Sequence, residues 1–483
     1  MSRTWPMPIR QNDLIGWLIT TGVAVLCGAG LLRATRVLEG QWVIAGVAGF
    51  SLIGLGVISG RFERFMFGLL FVMIPINPDV RFVFKELRLT GIDLILCCLY
   101  VAWVSRVLVE RRVTTLRWPS SATWLVCLIG WSALSLVNVQ FLRPGFVSLV
   151  EFMRVFLGFF YLVNNVKTRE DLWLIARCLI AGLLIESLLA GAQHLTGSPL
   201  GLQAFGAQRE FEEIEVGGDT LSRVSGTIGH PNDLGKYLEA VLPLALALGL
   251  STARLRIRAL AAGTFLLGSA VLVLTLSRGA WVSTALACVA LVGWLSATSR
   301  RGQARLTQLV SAVLICAAIL AWFAPLISAR WFESNPRTAA ARLPLMRVAW
   351  SIIASHPIVG VGLGNYKRVM QLYDPTPEAI SVNYRKPVHN IYLLLAAQTG
   401  IMGLVFFLAF LWAAWRRGWQ RIRAADDELV RLILLGIACG LLARVIHGLV
   451  DVSGLASMKI PFLWIYPALL VSGNQHVARR RAP

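Results

Sequence analysis

Apolar segments about as long as a bilayer crossing recur along almost the whole chain. A membrane-spanning helix needs about 20 consecutive, mainly apolar residues, because the hydrocarbon core is about 30 Å thick. By this measure the sequence predicts about fourteen spans, near residues 14–32, 41–59, 64–77, 91–108, 122–139, 145–163, 172–195, 234–251, 257–276, 279–297, 307–328, 389–414, 430–450 and 460–473. We therefore predict an all-α, polytopic membrane protein.

The charge content agrees with this fold class. Only 15% of the 483 residues are charged, whereas soluble domains carry about 25%. In a soluble protein a net charge of +21 would suggest a nucleic-acid partner. Here most basic residues lie in short loops beside apolar segments, and no basic face interleaved with aromatic residues is evident. We therefore expect no nucleic-acid partner.

The basic loops predict the orientation. If the N-terminus is cytoplasmic, every loop placed inside is basic, as the positive-inside rule requires. The predicted divisions are N-terminal membrane helices in 1–197, a periplasmic loop in 198–233, central membrane helices in 234–329, a large periplasmic loop containing helices in 330–388, and C-terminal membrane helices with a cytoplasmic tail in 389–483. Both termini are then expected in the cytoplasm.

The large outer loop is basic on the side where basic charge is disfavoured. It contains eight Lys and Arg residues against three acids, over residues 330–389. The positive-inside bias is weakest for loops of about 60 residues or more, so the loop can cross despite its charge. A polyanionic ligand is one reason to keep that charge outside, and anionic outer-leaflet lipid is the other.

A polar stretch at 223–233 leads from the first outer loop into a helix. Asn232 or Asp233 is the expected N-cap of that helix. A helix N-terminus just outside the bilayer favours anions, so Arg223 and Asn232 are candidate binding residues and His230 is a candidate supporting residue. The alternative is an ordinary turn and cap.

Three arginines in two separate segments are candidate phosphate ligands. Arg278 opens the tenth span, and Arg342 lies with Arg347 in a predicted amphipathic helix over 339–355. A planar guanidinium binds phosphate oxygens well. The alternative is a side chain that extends to the interface, with Trp281 as part of the aromatic belt.

His389 and Asn390 lie where the large loop enters the next apolar segment. Histidine is the side chain best suited to proton transfer near neutral pH. Upstream, the glycines at 360, 362 and 364 allow a tight turn or a close backbone approach, although a flexible connector would look the same. No strand precedes these glycines and no Gly-Lys-Ser follows, so they do not form a nucleotide loop.

Charged residues within the apolar segments should face the protein interior or a watery cavity. Arg444, His447 and Asp451 share one helix face, and Asp451 lies near the outer end, where it can support the site. Glu151 and Arg154 have the spacing of a structural ion pair. The six histidines are scattered singly, so no zinc site is expected.

The order of these motifs resembles the bacterial O-antigen ligase/polymerase superfamily. The motifs are Ser277 to Trp281, Arg342 about fourteen residues before the segment from His356 to Gly362, and then His389-Asn390 at the start of a span. The resemblance covers roughly 220–455. It implies a metal-independent glycosyltransferase of the GT-C type in the bacterial inner membrane, with its active site facing the periplasm.

The resemblance also assigns roles. Arg278 and Arg342 match the family's diphosphate-binding arginines, and His389 matches its essential loop histidine. The expected donor is a glycan on undecaprenyl diphosphate, and no cofactor is expected. The acceptor is another glycan, as in polymerisation of O-antigen or exopolysaccharide repeat units, or lipid A–core or a protein, as in ligation. A chain-length regulator is a further expected partner.

Polymerisation is the favoured activity, because about fourteen spans exceed the number found in many ligases. Outside the family, a polysaccharide transporter or flippase is the main alternative. Inverted repeats with helices broken at mid-membrane would mark a transporter, and the sequence shows no such pattern. A structural scaffold is the least favoured alternative.

Overall fold

A computed structural model describes most of the chain from residue 62 onward. The described residues are 62–298 apart from 77–78, 81–88, 111–115, 206, 209 and 217–218, then 321 and 323–332, 342–452 apart from 385, and 460–473. The predicted spans near 14–32 and 41–59, and most of 307–328, lie outside these residues. So does the first part of the predicted helix 339–355.

Helices dominate the described residues. They are α1 Phe62–Val72, α2 Gly91–Glu110, α3 Ser120–Leu134, α4 Leu142–Asn165, α5 Arg169–Thr196, α6 Pro231–Gly249, α7 Leu255–Leu274, α8 Arg278–Thr298, α9 Ala324–Phe332, α10 Arg342–Ser355, α11 Tyr366–Val369, α12 Ile380–Tyr384, α13 Ile391–Ala424, α14 Glu428–His447 and α15 Phe462–Val471. Short 3₁₀ turns cover Ser135–Asn138, Leu202–Phe205 and Met370–Tyr373.

Two short antiparallel strand pairs add to the predicted all-α fold. β1 (Asp79–Val80) pairs with β2 (Leu89–Thr90), and β3 (Glu212–Val216) pairs with β4 (Asp219–Arg223). The second pair lies in the loop predicted at 198–233. Its register places Glu212 opposite Arg223, which brings that arginine to a defined place beside the membrane helices.

Eight helices among the described residues are long and apolar enough to cross a membrane. They coincide with the predicted spans near 91–108, 122–139, 145–163, 172–195, 257–276, 279–297, 389–414 and 430–450. The predicted segments 64–77, 234–251 and 460–473 also contain helices, namely α1, α6 and α15. These three helices are not among the eight that are both long and apolar enough to cross a membrane. The polytopic all-α architecture is therefore confirmed, whereas the total of about fourteen spans stays a prediction.

The helix α6 lies at the centre of the bundle. Every residue from 234 to 248 is buried, and the helix packs against α5, α7, α8 and α14. Gly436 and Gly440 of α14 allow its close approach, because a Cβ on Gly440 would lie 2.1 Å from the carbonyl oxygen of Ala240. Small residues four apart permit such backbone contact between membrane helices.

The segment from Pro357 to Gly362 docks on a break in α13. Gly400 has φ 72° and ψ 178° inside this helix, which interrupts its hydrogen bonding. Loop backbone takes up the exposed groups: Val361 N donates to Ala397 O (3.0 Å), Gly362 N to Gln398 O (2.9 Å), and Ile401 N donates to Pro357 O (2.8 Å). The glycine segment is thus held against α13 by backbone hydrogen bonds and is not a flexible connector.

The loop between α9 and α13 has an apolar core of its own. Val348 and Ile352 of α10 pack with Tyr366, Met370 and neighbouring residues against the first turns of α13. α10 ends at Ser355, as the sequence predicts from Pro357. This packing holds the start of α10, where Arg342 lies, in a fixed relation to the segment that follows His389.

We predict that Gly400→Ala destabilises the protein by about 2–4 kcal/mol, because the side chain would force a strained φ and a clash. Its Cβ would lie 1.8 Å from the carbonyl oxygen of Ile358. Gly191→Ala in α5 is the matched control, since nothing lies within 4 Å of its Cβ position and alanine favours a helix. Thermal unfolding in detergent compares the two variants, and equal stability would contradict the docking role of Gly400.

Candidate active site

The turn that precedes α8 binds two arginines from other parts of the chain. Thr275 O accepts a hydrogen bond from Arg223 Nε at 2.8 Å, and Leu276 O accepts one from Arg330 Nε at 3.3 Å. Leu276 has φ 53°, a left-handed conformation that is uncommon outside glycine. The next helix begins at Arg278, so this turn collects three arginines at one end of the bundle.

Each nitrogen of the Arg223 guanidinium donates a hydrogen bond to a protein atom. Besides Thr275 O, it donates from Nη1 to Glu212 Oε1 at 3.2 Å and from Nη2 to Asn232 Oδ1 at 2.6 Å. The residue is buried, which lowers its pKa, and Glu212 partly opposes that shift. These contacts join the β3–β4 hairpin to the start of α6. Arg223 and Asn232, which were predicted to bind a substrate, are hydrogen-bonded to each other.

Arg330 is half-buried among positive charges. Burial lowers its pKa to about 10, with further lowering from Arg278, Arg223 and Arg342, while Glu212 acts in the opposite direction. We call Arg223, Arg278, Arg330 and Arg342 the arginine cluster. Like charges raise one another's free energy, so a bound polyanion would stabilise this arrangement. Arg330 was not among the predicted site residues, although it stands in the basic loop.

His389 lies within electrostatic reach of Arg342, one member of the arginine cluster. Burial lowers its pKa, Asp451 opposes this shift, and Arg342, Lys386 and Lys236 lower the pKa further. Arg342 therefore lowers the pKa of both Arg330 and His389. This shared effect links the arginine cluster to a histidine that can accept a proton.

Two hydrogen bonds fix the backbone beside this histidine. Asn390, the N-cap of α13, donates from Nδ2 to Leu449 O at 3.1 Å, and Ile391 N donates to Gly448 O at 2.9 Å. The segment that carries His389 is thus attached to the end of α14.

A buried polar network joins α6 to α14. Lys236 Nζ lies 2.9 Å from Asp233 Oδ1 and 2.7 Å from Asp451 Oδ2. Glu239 Oε1 contacts Arg444 Nη1 at 2.7 Å, and its Oε2 contacts His447 Nδ1 at 2.6 Å. Asp451 is 3.9 Å from His447 Nε2. It lies beyond the end of α14 and not on the predicted helix face, but Arg444, His447 and Asp451 all contact α6.

Sequence reasoning missed Lys236 and Glu239. Asp233, Lys236 and Glu239 recur every three residues within an apolar segment, a spacing that places them near one another along one side of a helix. Together with the cost of charge in hydrocarbon, that spacing could have predicted a partner helix with complementary charge.

The predicted N-cap of α6 was wrong. The cap is His230, whose Nδ1 accepts a hydrogen bond from Asn232 N at 3.1 Å, with Pro231 as the first helical residue. Proline suits that position because its missing N–H would have no partner there. His230 Nε2 also lies 3.4 Å from Glu212 Oε2, so the imidazole joins the hairpin to the helix.

Three other predicted residues lie apart from this group. Arg347 is exposed on α10, about one turn beyond Arg342, and within the described part of the chain it does not join the charges that shift Arg330 or His389. The predicted Glu151–Arg154 pair is present at 3.8 Å, but Arg154 lies closer to Asp93, at 2.8 Å.

Across the described ranges, no group of three or more His, Cys, Asp or Glu side chains forms a possible metal site.

The fold defines a multi-pass membrane protein, and its arginine cluster lies within electrostatic reach of a histidine. Residues 263–408 match the family described as O-antigen ligase. This match confirms the resemblance to the O-antigen ligase/polymerase superfamily. The matched region contains Arg278, Arg330, Arg342 and His389. A search of curated proteins finds no match to the chain.

We predict that inorganic pyrophosphate raises the thermal unfolding temperature, because it binds the arginine cluster in the folded state only. Arg330→Gln should weaken this binding about tenfold, since a hydrogen bond between charged groups contributes about 1.5–3 kcal/mol. Lys367→Gln is the control, because Lys367 is exposed elsewhere in the outer loop. The same pyrophosphate response in both variants would exclude Arg330 from the anion site.

Proposed function

We propose that this protein transfers a glycan from undecaprenyl diphosphate to a sugar hydroxyl at the periplasmic face of the bacterial inner membrane. The observation that carries the proposal is that Arg342 lies within electrostatic reach of both Arg330 and His389 and lowers the pKa of each. A diphosphate held by the cluster would place its sugar beside a proton acceptor. The family match over 263–408 supports the same reaction class.

The arginines have the chemistry to stabilise the leaving group. In the proposed step the bond between the anomeric carbon and the phosphate oxygen breaks, and the diphosphate leaves with the electron pair. Arg278, Arg330 and Arg342 would stabilise the negative charge that develops there. The donor arrives already activated, so the proposed mechanism uses neither a nucleotide nor a metal ion.

His389 is the proposed general base. The acceptor hydroxyl oxygen forms the new bond to the anomeric carbon, and its proton passes to the imidazole. Burial and the nearby cations Arg342, Lys386 and Lys236 lower the pKa of His389, which keeps the imidazole unprotonated and able to accept a proton at neutral pH.

The proposed orientation follows from the loop charges. The ends of the helices at Arg278 and His389 face the periplasm when the basic loops face the cytoplasm, which places both termini inside. The polyprenyl tail would lie between spans, open to lipid. A GT-C-type architecture with about fourteen spans is part of this proposal, and a chain-length regulator is a proposed partner.

Polymerisation of repeat units is the activity proposed first, and ligation is the second candidate. The description of the matched family favours ligation to lipid A–core. The lipid-linked glycan in a deletion strain discriminates between them. Accumulation of single repeat units indicates a polymerase, whereas accumulation of long unattached chains indicates a ligase.

We predict that Arg278→Gln and His389→Ala lower the rate of glycan transfer by about 10²–10⁴-fold, because each removes a group that acts on the reacting atoms. The measurement is transfer from a lipid-linked donor by purified protein in detergent. Lys367→Gln is the control, and thermal unfolding shows whether each variant is folded. Transfer near the wild-type rate by either folded variant would refute the proposed mechanism.

We predict an acid limit of the transfer rate below pH 6.5, because the pKa of His389 is lowered and only the unprotonated imidazole accepts a proton. Lys386→Gln should move this limit to higher pH, since Lys386 lowers that pKa. The shift should shrink in high salt, because Lys386 is exposed and its charge is screened. An unchanged limit, equal to that of Lys367→Gln, would contradict the role of Lys386.

A further inference from the structure

The carboxylate of Glu239 ties together three helices. It is fully buried on α6. Ser283 Oγ of α8 donates to its Oε2 at 2.6 Å, and Arg444 and His447 of α14 contact Oε1 and Oε2 at 2.7 and 2.6 Å. Oε1 is thus bound by α14 alone, and Oε2 is bound by both α8 and α14.

The end of α14 contacts both segments that carry the proposed catalytic groups. A Cβ on Gly279 would lie 2.6 Å from His447 Nε2, so the start of α8 packs directly against that imidazole. The segment after His389 is attached to the same end of α14, through Ile391 N and Gly448 O at 2.9 Å. The position of α14 therefore sets the separation between Arg278 and His389.

Most of the arginine cluster would stay together if α14 shifted. Arg223 and Arg330 donate to the carbonyls of Thr275 and Leu276, directly before Arg278. Arg342 instead lies on α10, which packs against α13. A shift of α14 would therefore leave much of the anion site in place. It would change mainly the geometry between the leaving group and the base.

We propose that Glu239 is the positioning residue of the active site, which holds α14 so that Arg278 and His389 act on the same substrate. This inference rests on the proposed function. Glu239 touches no reacting atom, because it lies inside the bundle with its oxygens bound to Ser283, Arg444 and His447. Its effect is on alignment, and a misplacement of about 1 Å can lower a rate about 10²-fold.

The test compares Glu239→Gln, which keeps the shape but removes the charge, with Glu239→Asp, which keeps the charge on a shorter side chain. We expect Glu239→Gln to lower kcat by about 10²-fold while the KM for the lipid-linked donor changes by less than about threefold. Glu239→Asp should recover part of kcat. Ser283→Ala, which removes one of three partners, should have a smaller effect than Glu239→Gln.

Asn164→Ala is the matched control for the loss of a buried polar side chain. Asn164 is buried at the last turn of α4, where its Oδ1 accepts a hydrogen bond from Arg117 N. The opposite end of α4 lies beside Asn365 of the loop between α9 and α13, so the length of α4 separates Asn164 from that loop. It should lose stability without a selective loss of kcat. If Glu239→Gln and Asn164→Ala lose transfer in proportion to stability, the positioning role is overturned. Absence of transfer by the wild-type protein would instead overturn the proposed function, and this inference with it.

Discussion

Repulsion among guanidinium groups is the constraint around which this end of the bundle is built. Arg330 lies within electrostatic reach of Arg278, Arg223 and Arg342, which lower its pKa, whereas Glu212 raises it. The carbonyls of Thr275 and Leu276 partly compensate by accepting from two of these side chains. Because the donors are held in place by folded structure, a diphosphate entering the site would need little reorganisation of the protein.

The two charge networks of the molecule differ in composition. Within the bundle, Asp233, Glu239 and Asp451 meet Lys236, Arg444 and His447 at short distances, so charge is largely matched where water is excluded. Among the described residues, Arg330 is surrounded by three arginines and one opposing carboxylate. A matched network suits structure, since an unpaired charge in hydrocarbon is costly. A cluster of like charges suits the anionic ligand proposed above.

The sequence predicts the membrane architecture well, because hydrophobic length is a local property. The eight recognised spans and the end of α10 before Pro357 follow from it. Arg278, Arg342 and His389 were found through motif order, but their proximity depends on tertiary packing that spacing does not encode. Glu239 was missed because its partners lie 205 and 208 residues away along the chain. The wrong cap of α6 reflects an imidazole acting where Asn or Asp is the usual choice.

That long separation has a consequence for biogenesis. The ribosome adds about 5–20 residues per second, so the helix bearing Glu239 is made about 10–40 seconds before the helix bearing Arg444. Until then Glu239 lacks Arg444 and His447, and Lys236 lacks Asp451, so entry of this segment into lipid on its own is unfavourable. We therefore expect this helix to settle in the bilayer late, when the C-terminal helices emerge.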